Sequence, residues 1–314
     1  MTVVVVSSRS FGSGCADPEA RLREAGVEVR RIPSDHDLAR CGPQLADADG
    51  WIAGTGPIRG EHLRAAPRLR LVARYGVGVD SVDRAEAAAR GVLVTNTPGA
   101  NTRAVAEHTL ALLLGALRHV VAGDRAVRAG DWAPRRGREL ADCRVGIVGY
   151  GAIGRAVGRL VAAFGAEVAA HDPWVTDADV DLVDLDTLAA SCDVLSLHAP
   201  AGDRPLVDTA LLGRMRPGAV LVNTARGGLV DEAAVATALR DGRLAGFAAD
   251  VLADEHGASS PLFDAPNVTV TPHVAGQTVQ AIDRMGAAAA DECLRVLVEG
   301  RPPRHPVPPP RAEE

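Results

Sequence analysis

The sequence predicts an α/β protein made of two doubly wound parallel-sheet domains with a cleft between them. Three observations carry that expectation. Short apolar runs alternate with amphipathic stretches in two separate series, one on each side of a long helical segment, as parallel strands with helices on both faces require. The second series contains six strand-like runs, enough for a complete doubly wound sheet. The length of 314 residues accommodates two domains of ordinary size.

In the first series, "VVVVS" from Val3 to Ser7 reads as a strand, and "DPEARLREAG" from Asp17 reads as a helix stopped by Gly26. "VEVRRI" follows as a strand. "GWIAG" (Gly50 to Gly54), "RLRLVAR" (Arg68 to Arg74) and "GVLVTN" (Gly91 to Asn96) are three more, separated by helical stretches. From Asn101 to Arg128 the apolar residues Val105, Leu110, Leu113, Leu114, Leu117, Val120 and Val121 recur at helical spacing, which predicts one long helix bridging the two domains. After the loop "GDWAPRRGRELADC", the second series runs "RVGIVG", "AEVAAHD", "CDVLSLH", "GAVLVNT", "LAGFAAD" and "NVTVTPH". A last long helix follows His273 and is expected to return to the first domain. The tail "RPPRHPVPPPRAEE" is proline-rich and reads as an irregular or disordered arm.

Composition excludes several classes. The apolar fraction of 47% and charged fraction of 24% are those of an ordinary globular protein. No apolar run approaches the ~20 residues of a membrane helix. Val3 to Val6 lacks the basic flank and the length of a signal peptide, so a cytoplasmic protein is expected. The net charge of −6 speaks against a nucleic-acid footprint. Cys15, Cys41, Cys143, Cys192 and Cys293 show no metal-ligand spacing, so no metal is expected and the thiols read as reduced and in or near the core. The chain has no lysine: all 34 cationic side chains are arginine. Schiff-base chemistry and a P-loop are thereby excluded, and anions must be met by arginine, backbone N–H groups or helix N-termini.

"VGYGAIGR" contains GxGxxG as Gly149, Gly151 and Gly154. The pattern is weak alone, but here it follows a strand and opens a helix. The next strand ends at Asp172, 18 residues after Gly154, near where a carboxylate meets an adenosine ribose. Gly149 allows the tight turn, Gly151 lets a pyrophosphate approach, and Gly154 lets helix and strand pack closely. The expectation is a Rossmann-like domain binding NAD, because Asp172 would repel the 2′-phosphate of NADP.

In "NTARGGLVDE", Arg226 stands at the carboxyl end of a strand, where ligands bind in an open parallel sheet. Glu255 follows the next strand, and His273 ends the one after. Three successive strand ends therefore aim an arginine, a carboxylate and an imidazole at one rim. That set suits carbonyl–alcohol interconversion. His273 supplies the proton, Glu255 favours its charged form, and Arg226 holds a substrate carboxylate and polarises the carbonyl.

Together, "RYGVGVDSVD", "GVLVTNTPGANTRAVAEHTLALLL", "VGIVGYGAIGR", "VNTARGGLVDEAAVATAL", "GFAADVL" and "TPHVAGQT" resemble the signatures of the D-isomer-specific 2-hydroxyacid dehydrogenases, most closely the phosphoglycerate dehydrogenase type. The resemblance covers nearly the whole chain. It implies a catalytic set of Arg226, Glu255 and His273, and substrate-carboxylate binding by backbone N–H groups near Val77 and Gly78. It also implies NAD (NADH) contacts from Ala152, Ile153, Asp172, His198, Pro200, Thr224, Ala225 and Asp250. The expected division is a discontinuous substrate domain, 1–98 plus 275–314, and an NAD-binding domain, 99–274. A homodimer is implied, formed through the helix near Asn101 and the loop around Trp132.

Two departures stand out: His256 follows Glu255 where the family usually has proline, and the regulatory domain of many phosphoglycerate dehydrogenases is missing, so serine feedback through it is not expected. A phosphorylated or phosphonylated acid would need a second cation. Arg59, Arg74, Arg135 and Arg136 are candidates, whereas glyoxylate or hydroxypyruvate would need only Arg226 and the glycine loop. The alternatives are phosphite- or formate-type oxidation, which Glu255 counts against in the case of formate, and an NADH-sensing corepressor that binds a partner peptide.

Overall fold

The computed structural model describes residues 1–255 and 259–310. The chain forms two compact units, Met1–Asn101 with Gln277–Glu314, and Thr102–Gly276. In the first unit the elements are β1 (Thr2–Val6), α1 (Pro18–Glu24), β2 (Val27–Arg31), α2 (Leu38–Leu45), β3 (Gly50–Ala53), α3 (Gly60–Ala65), β4 (Leu71–Arg74), α4 (Arg84–Ala89) and β5 (Leu93–Thr95). The strands pair in parallel in the order β2-β1-β3-β4-β5. Val3, Val4, Val5 and Val6 are all buried, as a continuous apolar run becomes when helices cover both faces of a parallel sheet. A later helix, α11 (Val279–Cys293), ends in a π-helical turn over Leu294–Val298 and also belongs to this unit.

A polar network sits inside this core. A carbonyl only accepts, so His36 Nδ1–H donates to the Pro57 carbonyl at 3.0 Å, and its Nε2 accepts the Ser7 hydroxyl at 2.7 Å. Ser7 Oγ in turn accepts from Trp51 Nε1 at 3.0 Å and the Gly54 amide at 3.2 Å. His62 Nε2–H donates to the His36 carbonyl, and its Nδ1 accepts from the Arg59 amide. Burial pushes the His36 imidazole down from its ordinary 6.5 to about 4. A depressed histidine contributes stability that is complete above its unfolded value and is lost as pH falls toward the folded one. Acidifying from pH 6.5 toward 4 is therefore expected to remove roughly 3 kcal/mol through this group. Urea unfolding across that window should show a shallower pH dependence in His36→Gln than in the wild type; equal slopes would refute the assignment.

The tail is irregular but not free. The buried carboxylate of Glu292 accepts the amides of Arg304 and His305 at 3.0–3.1 Å. Pro306 bridges Thr95 in antiparallel fashion, and the Val307 amide donates to the Val94 carbonyl at 2.8 Å. Of the two expectations, irregular or disordered, residues 301–310 meet the first: the segment covers β5, an edge strand whose carbonyls need donors.

The second unit begins with α5 (Thr102–Leu117) and α6 (Val120–Arg128). The single long helix expected here is instead two, bent by 59°. His119 between them has φ +54°, a left-handed conformation that ends the first helix. Then follow β6 (Arg144–Val148), α7 (Ala152–Ala163), β7 (Glu167–His171), β8 (Asp181–Leu182), α8 (Leu185–Ser191), β9 (Val194–Leu197), α9 (Thr209–Arg214), β10 (Ala219–Asn223), α10 (Glu232–Arg240), β11 (Leu244–Ala249) and β12 (Val268–Val270). They form one parallel sheet in the order β12-β11-β10-β9-β6-β7-β8. The strand order reverses between β6 and β9, the position at which doubly wound sheets bind ligands. Six strands were expected; the seventh, β8, is a two-residue exposed edge.

Among the described residues no single helix is long and apolar enough to cross a membrane, and no cluster of three or more His, Cys, Asp or Glu side chains is placed to hold a metal. Four of the cysteines are buried, and Cys15 is exposed.

Candidate active site

The glycine turn sits at the switch point of the second sheet. Gly149 has φ +87°, and a Cβ there would meet the His198 carbonyl carbon at 2.6 Å. A Cβ on Gly154 would lie 2.1 Å from the Gly149 carbonyl oxygen, so only glycine lets α7 start against the strand. Gly151 caps α7 without a side-chain hydrogen bond, and nothing lies within 4 Å of where its Cβ would be. Ala152 and Ile153 form the first turn of α7 behind it. Open space in front of the N-terminus of a 12-residue helix is what a pyrophosphate needs. Asp172, just past β7, accepts the Tyr150 amide at 2.8 Å on one oxygen and the Trp174 amide at 2.9 Å on the other. Each oxygen keeps acceptor capacity for a ribose hydroxyl. Tyr150 is buried, its hydroxyl donates to Asp179 at 2.7 Å, and Arg155 covers its ring at 4.8 Å. These residues fit the diphosphate and ribose of a dinucleotide.

At the same edge, β10, β11 and β12 lie side by side, and backbone hydrogen bonds continue past their ends. The Asp250 amide donates to Asn223, the Thr271 amide to Ala249, and the His273 amide to Asp250, each at 2.9 Å. The turn carrying Arg226 abuts the loop after β11 so closely that a Cβ on Gly227 would lie 2.0 Å from the Leu252 carbonyl carbon and oxygen. Asn223 shapes that turn, donating to the Arg226 carbonyl at 2.8 Å and accepting from the Ala225 amide at 3.1 Å. Arg226 Nη1 donates to the Ala225 carbonyl at 2.7 Å. His273 Nδ1 meets both carboxylate oxygens of Glu255 at 2.9 Å. With Nδ1–H given to the carboxylate, Nε2 is the atom left to exchange a proton. The His273 side chain is 40% exposed. Its backbone has φ +53°, a conformation that strains a residue with a Cβ and is held by its neighbours.

The remaining sequence-chosen residues divide between the units. In the second, Thr224 is buried with Oγ1 2.7 Å from Thr109 Oγ1. His198 follows β9; loss of solvent holds its imidazole down to about 4, and its Nε2 meets Ser196 Oγ at 2.8 Å. Pro200 is exposed beyond it. Asp250 is 1% exposed and turns its carboxylate inward, accepting from Thr271 Oγ1 and the amides of Val274 and Ala275. In the first, the Val77 carbonyl accepts from Asn96 Nδ2 at 2.8 Å, which steadies the loop at Val77 and Gly78. Arg74 is buried, and its Nη1 donates to the Ala53 and Tyr75 carbonyls, a strut beneath that loop. Arg59, Arg135 and Arg136 are exposed. His256 lies outside the described residues.

The sequence reading missed Glu232. Its carboxylate accepts the Ala253 amide at 2.7 Å and the Ser260 hydroxyl at 2.6 Å, tying α10 to the chain on both sides of Glu255. Only the acidic first turn of a helix marked it, and that reads equally well as a dipole preference.

A doubly wound sheet with a glycine turn at its switch point, and a histidine hydrogen-bonded to a carboxylate on the same edge, defines a dinucleotide-binding α/β protein. Residues 110–275 match the family description "D-isomer specific 2-hydroxyacid dehydrogenase, NAD binding domain". The chain belongs to the D-isomer-specific 2-hydroxyacid dehydrogenases. It is 42% identical over 284 residues to the D-3-phosphoglycerate dehydrogenase of Mycobacterium tuberculosis (strain ATCC 25618 / H37Rv), covering 87% of this chain but 53% of that protein. The chain thus spans about half the length of that relative. It is 36% identical over 287 residues to the glyoxylate reductase of Thermofilum pendens, covering 86% of this chain and 84% of that one. Among solved structures, the NADPH-dependent glyoxylate/hydroxypyruvate reductase of Sinorhizobium meliloti in complex with citrate superposes with a TM-score of 0.87, 31% identity and full coverage of both chains.

Proposed function

We propose that this chain is a nicotinamide-dependent D-2-hydroxyacid dehydrogenase that interconverts a small 2-hydroxy acid and its 2-oxo acid. The observation that carries the reading is the Glu255–His273 pair, held on the sheet edge that also carries Arg226 and the glycine turn. The glycine turn and Asp172 would hold the diphosphate and ribose of a nicotinamide dinucleotide, which when reduced would supply a hydride to the carbonyl carbon. His273 Nε2 gives the proton to the carbonyl oxygen, and Glu255 stabilises the imidazolium before transfer. Arg226 binds the substrate carboxylate and polarises the carbonyl. One hydride and one proton added to the 2-oxo acid give the 2-hydroxy acid. Asp172 supports NAD over NADP, since a 2′-phosphate would face a carboxylate.

Phosphohydroxypyruvate, hydroxypyruvate and glyoxylate are the substrates that the named activities of the relatives suggest, and exposed Arg59, Arg135 and Arg136 are the cations available for a second anionic group. The apolar side chains Val120, Val127 and Trp132, exposed on α6 and the loop after it, support a homodimer formed on that face. The test is oxidation of NADH and of NADPH with each acid in turn, with Arg226→Ala as the control. Turnover with NADH and at least one acid, reduced about 10²-fold or more in the control, is expected. NADH binding without turnover of any 2-oxo acid would overturn the reading.

A further inference from the structure

The first helix of the second unit touches the ends of three strands through two consecutive residues. Thr109 Oγ1 donates to the Val105 carbonyl at 2.8 Å, so the Thr224 hydroxyl, 2.7 Å away, donates to Thr109. His108 Nε2 lies 2.9 Å from Thr271 Oγ1 and 3.5 Å from Asp250 Oδ1. Thr271 has one hydroxyl proton, and its 2.5 Å contact with Asp250 Oδ1 claims it, as a short charge-assisted bond does. The His108 contact must then run the other way, from Nε2–H to the Thr271 lone pair, which fixes the tautomer of His108.

This chain of bonds ends at the histidine turn. Asp250 is buried, and its carboxylate accepts the amides of Val274 at 2.9 Å and Ala275 at 2.8 Å, the two residues after His273. The His273 amide donates to the carbonyls of Asp250 and Thr271 at 2.9 and 3.0 Å. The left-handed backbone of His273 costs about 1–2 kcal/mol by itself and persists because this network determines it. His108 supplies the donor that satisfies Thr271 and orients its hydroxyl toward Asp250.

We propose that His108 is a positioning residue: through Thr271 and Asp250 it fixes the turn that aims the His273 imidazole at the substrate. The inference rests on the dehydrogenase reading above, with His273 as proton donor. His108→Ala is expected to lower kcat about tenfold while KM and the Kd for NADH stay within about twofold, because the geometry of proton transfer changes and the binding groups do not. His108→Gln, which keeps an N–H donor at a similar reach, is expected to recover most of kcat. Thr271→Val should reproduce the loss, and the His108→Ala/Thr271→Val double variant should be no worse than either single one. Thr271→Val and His108→Gln together carry the test if His108→Ala does not fold. An NMR titration of the His273 ring, independent of turnover, is expected to differ between wild type and Thr271→Val.

Unchanged kcat in His108→Ala, an equal loss in the Gln variant, or losses that multiply in the double variant would each overturn the inference. If the wild type bound NADH but turned over no 2-oxo acid, the dehydrogenase reading itself would fail, and if His273→Asn were as active as the wild type, the role of His273 as proton donor would fail, so these failures are distinguishable from that of the inference.

Discussion

His273→Asn is expected to lower kcat/KM for the 2-oxo acid by about 10² to 10⁴, the usual contribution of a positioned proton donor, with the Kd for NADH unchanged. The asparagine keeps a polar side chain of similar size but cannot be protonated. Because His273 is exposed and its contact with Glu255 lies at the surface, the variant should fold and melt like the wild type. Glu255→Gln should lose less, because it weakens the support of the imidazolium without removing the proton. Steady-state kinetics beside a fluorescence titration with NADH checks both. A His273→Asn protein within a factor of about three of wild-type kcat/KM would remove the imidazole from the chemistry.

Gly227→Ala carries the second large effect. A Cβ at this position would lie 2.0 Å from the Leu252 carbonyl carbon and oxygen and 2.4 Å from the Ala253 amide nitrogen. Those neighbours are backbone and cannot swing aside, so the Arg226 turn and the loop leading to Glu255 must separate. Overpacking of this kind costs about 1–3 kcal/mol, and a misplacement of about 1 Å costs on the order of 10²-fold in rate. The expected result is a melting temperature lower by several degrees and at least a tenfold loss of kcat/KM. Gly228→Ala is the control, since its Cβ would meet only the Ala201 Cβ, at an ordinary 3.7 Å. If the two variants behaved alike, the close approach at Gly227 would have no consequence for the site.

What could be read in advance follows from the range of the interactions involved. Strands buried on both faces are written as unbroken apolar runs, and Val3 to Val6 or Ala219 to Val222 announce themselves. β8 does not, because Asp181 and Leu182 are exposed and pair with β7 on one side only. The break at His119 has no glycine or proline to mark it, and apolar periodicity runs straight through. The irregular course of the tail was legible from its prolines, but its anchoring to Glu292 and to β5 was not, because proline content reports only local preference.

At the candidate site, the glycine turn was legible because positive φ and close approach demand glycine at Gly149 and Gly154. That Arg226, Glu255 and His273 fall on one edge was legible from parallel strand order alone. The supporting contacts were not. His108 to Thr271 spans 163 residues and Ala253 to Glu232 spans 21, and no periodicity encodes either pairing. Asp250 illustrates the difference: its place at a strand end could be read, but not the inward turn of its carboxylate onto the histidine loop.

The central claim is that this sheet edge directs a hydride and a proton to the carbonyl of a 2-oxo acid. The measurement that meets it most directly is the fate of deuterium from NADH labelled at the transferred position, with glyoxylate, hydroxypyruvate and phosphohydroxypyruvate as acceptors and chiral analysis of the products from the last two. The account predicts one deuterium on C2 of the 2-hydroxy acid, the D configuration where C2 is a stereocentre, and no labelled product from Arg226→Ala or His273→Asn in the same time. Unlabelled product, the L configuration, or consumption of NADH without reduction of the acid would contradict it.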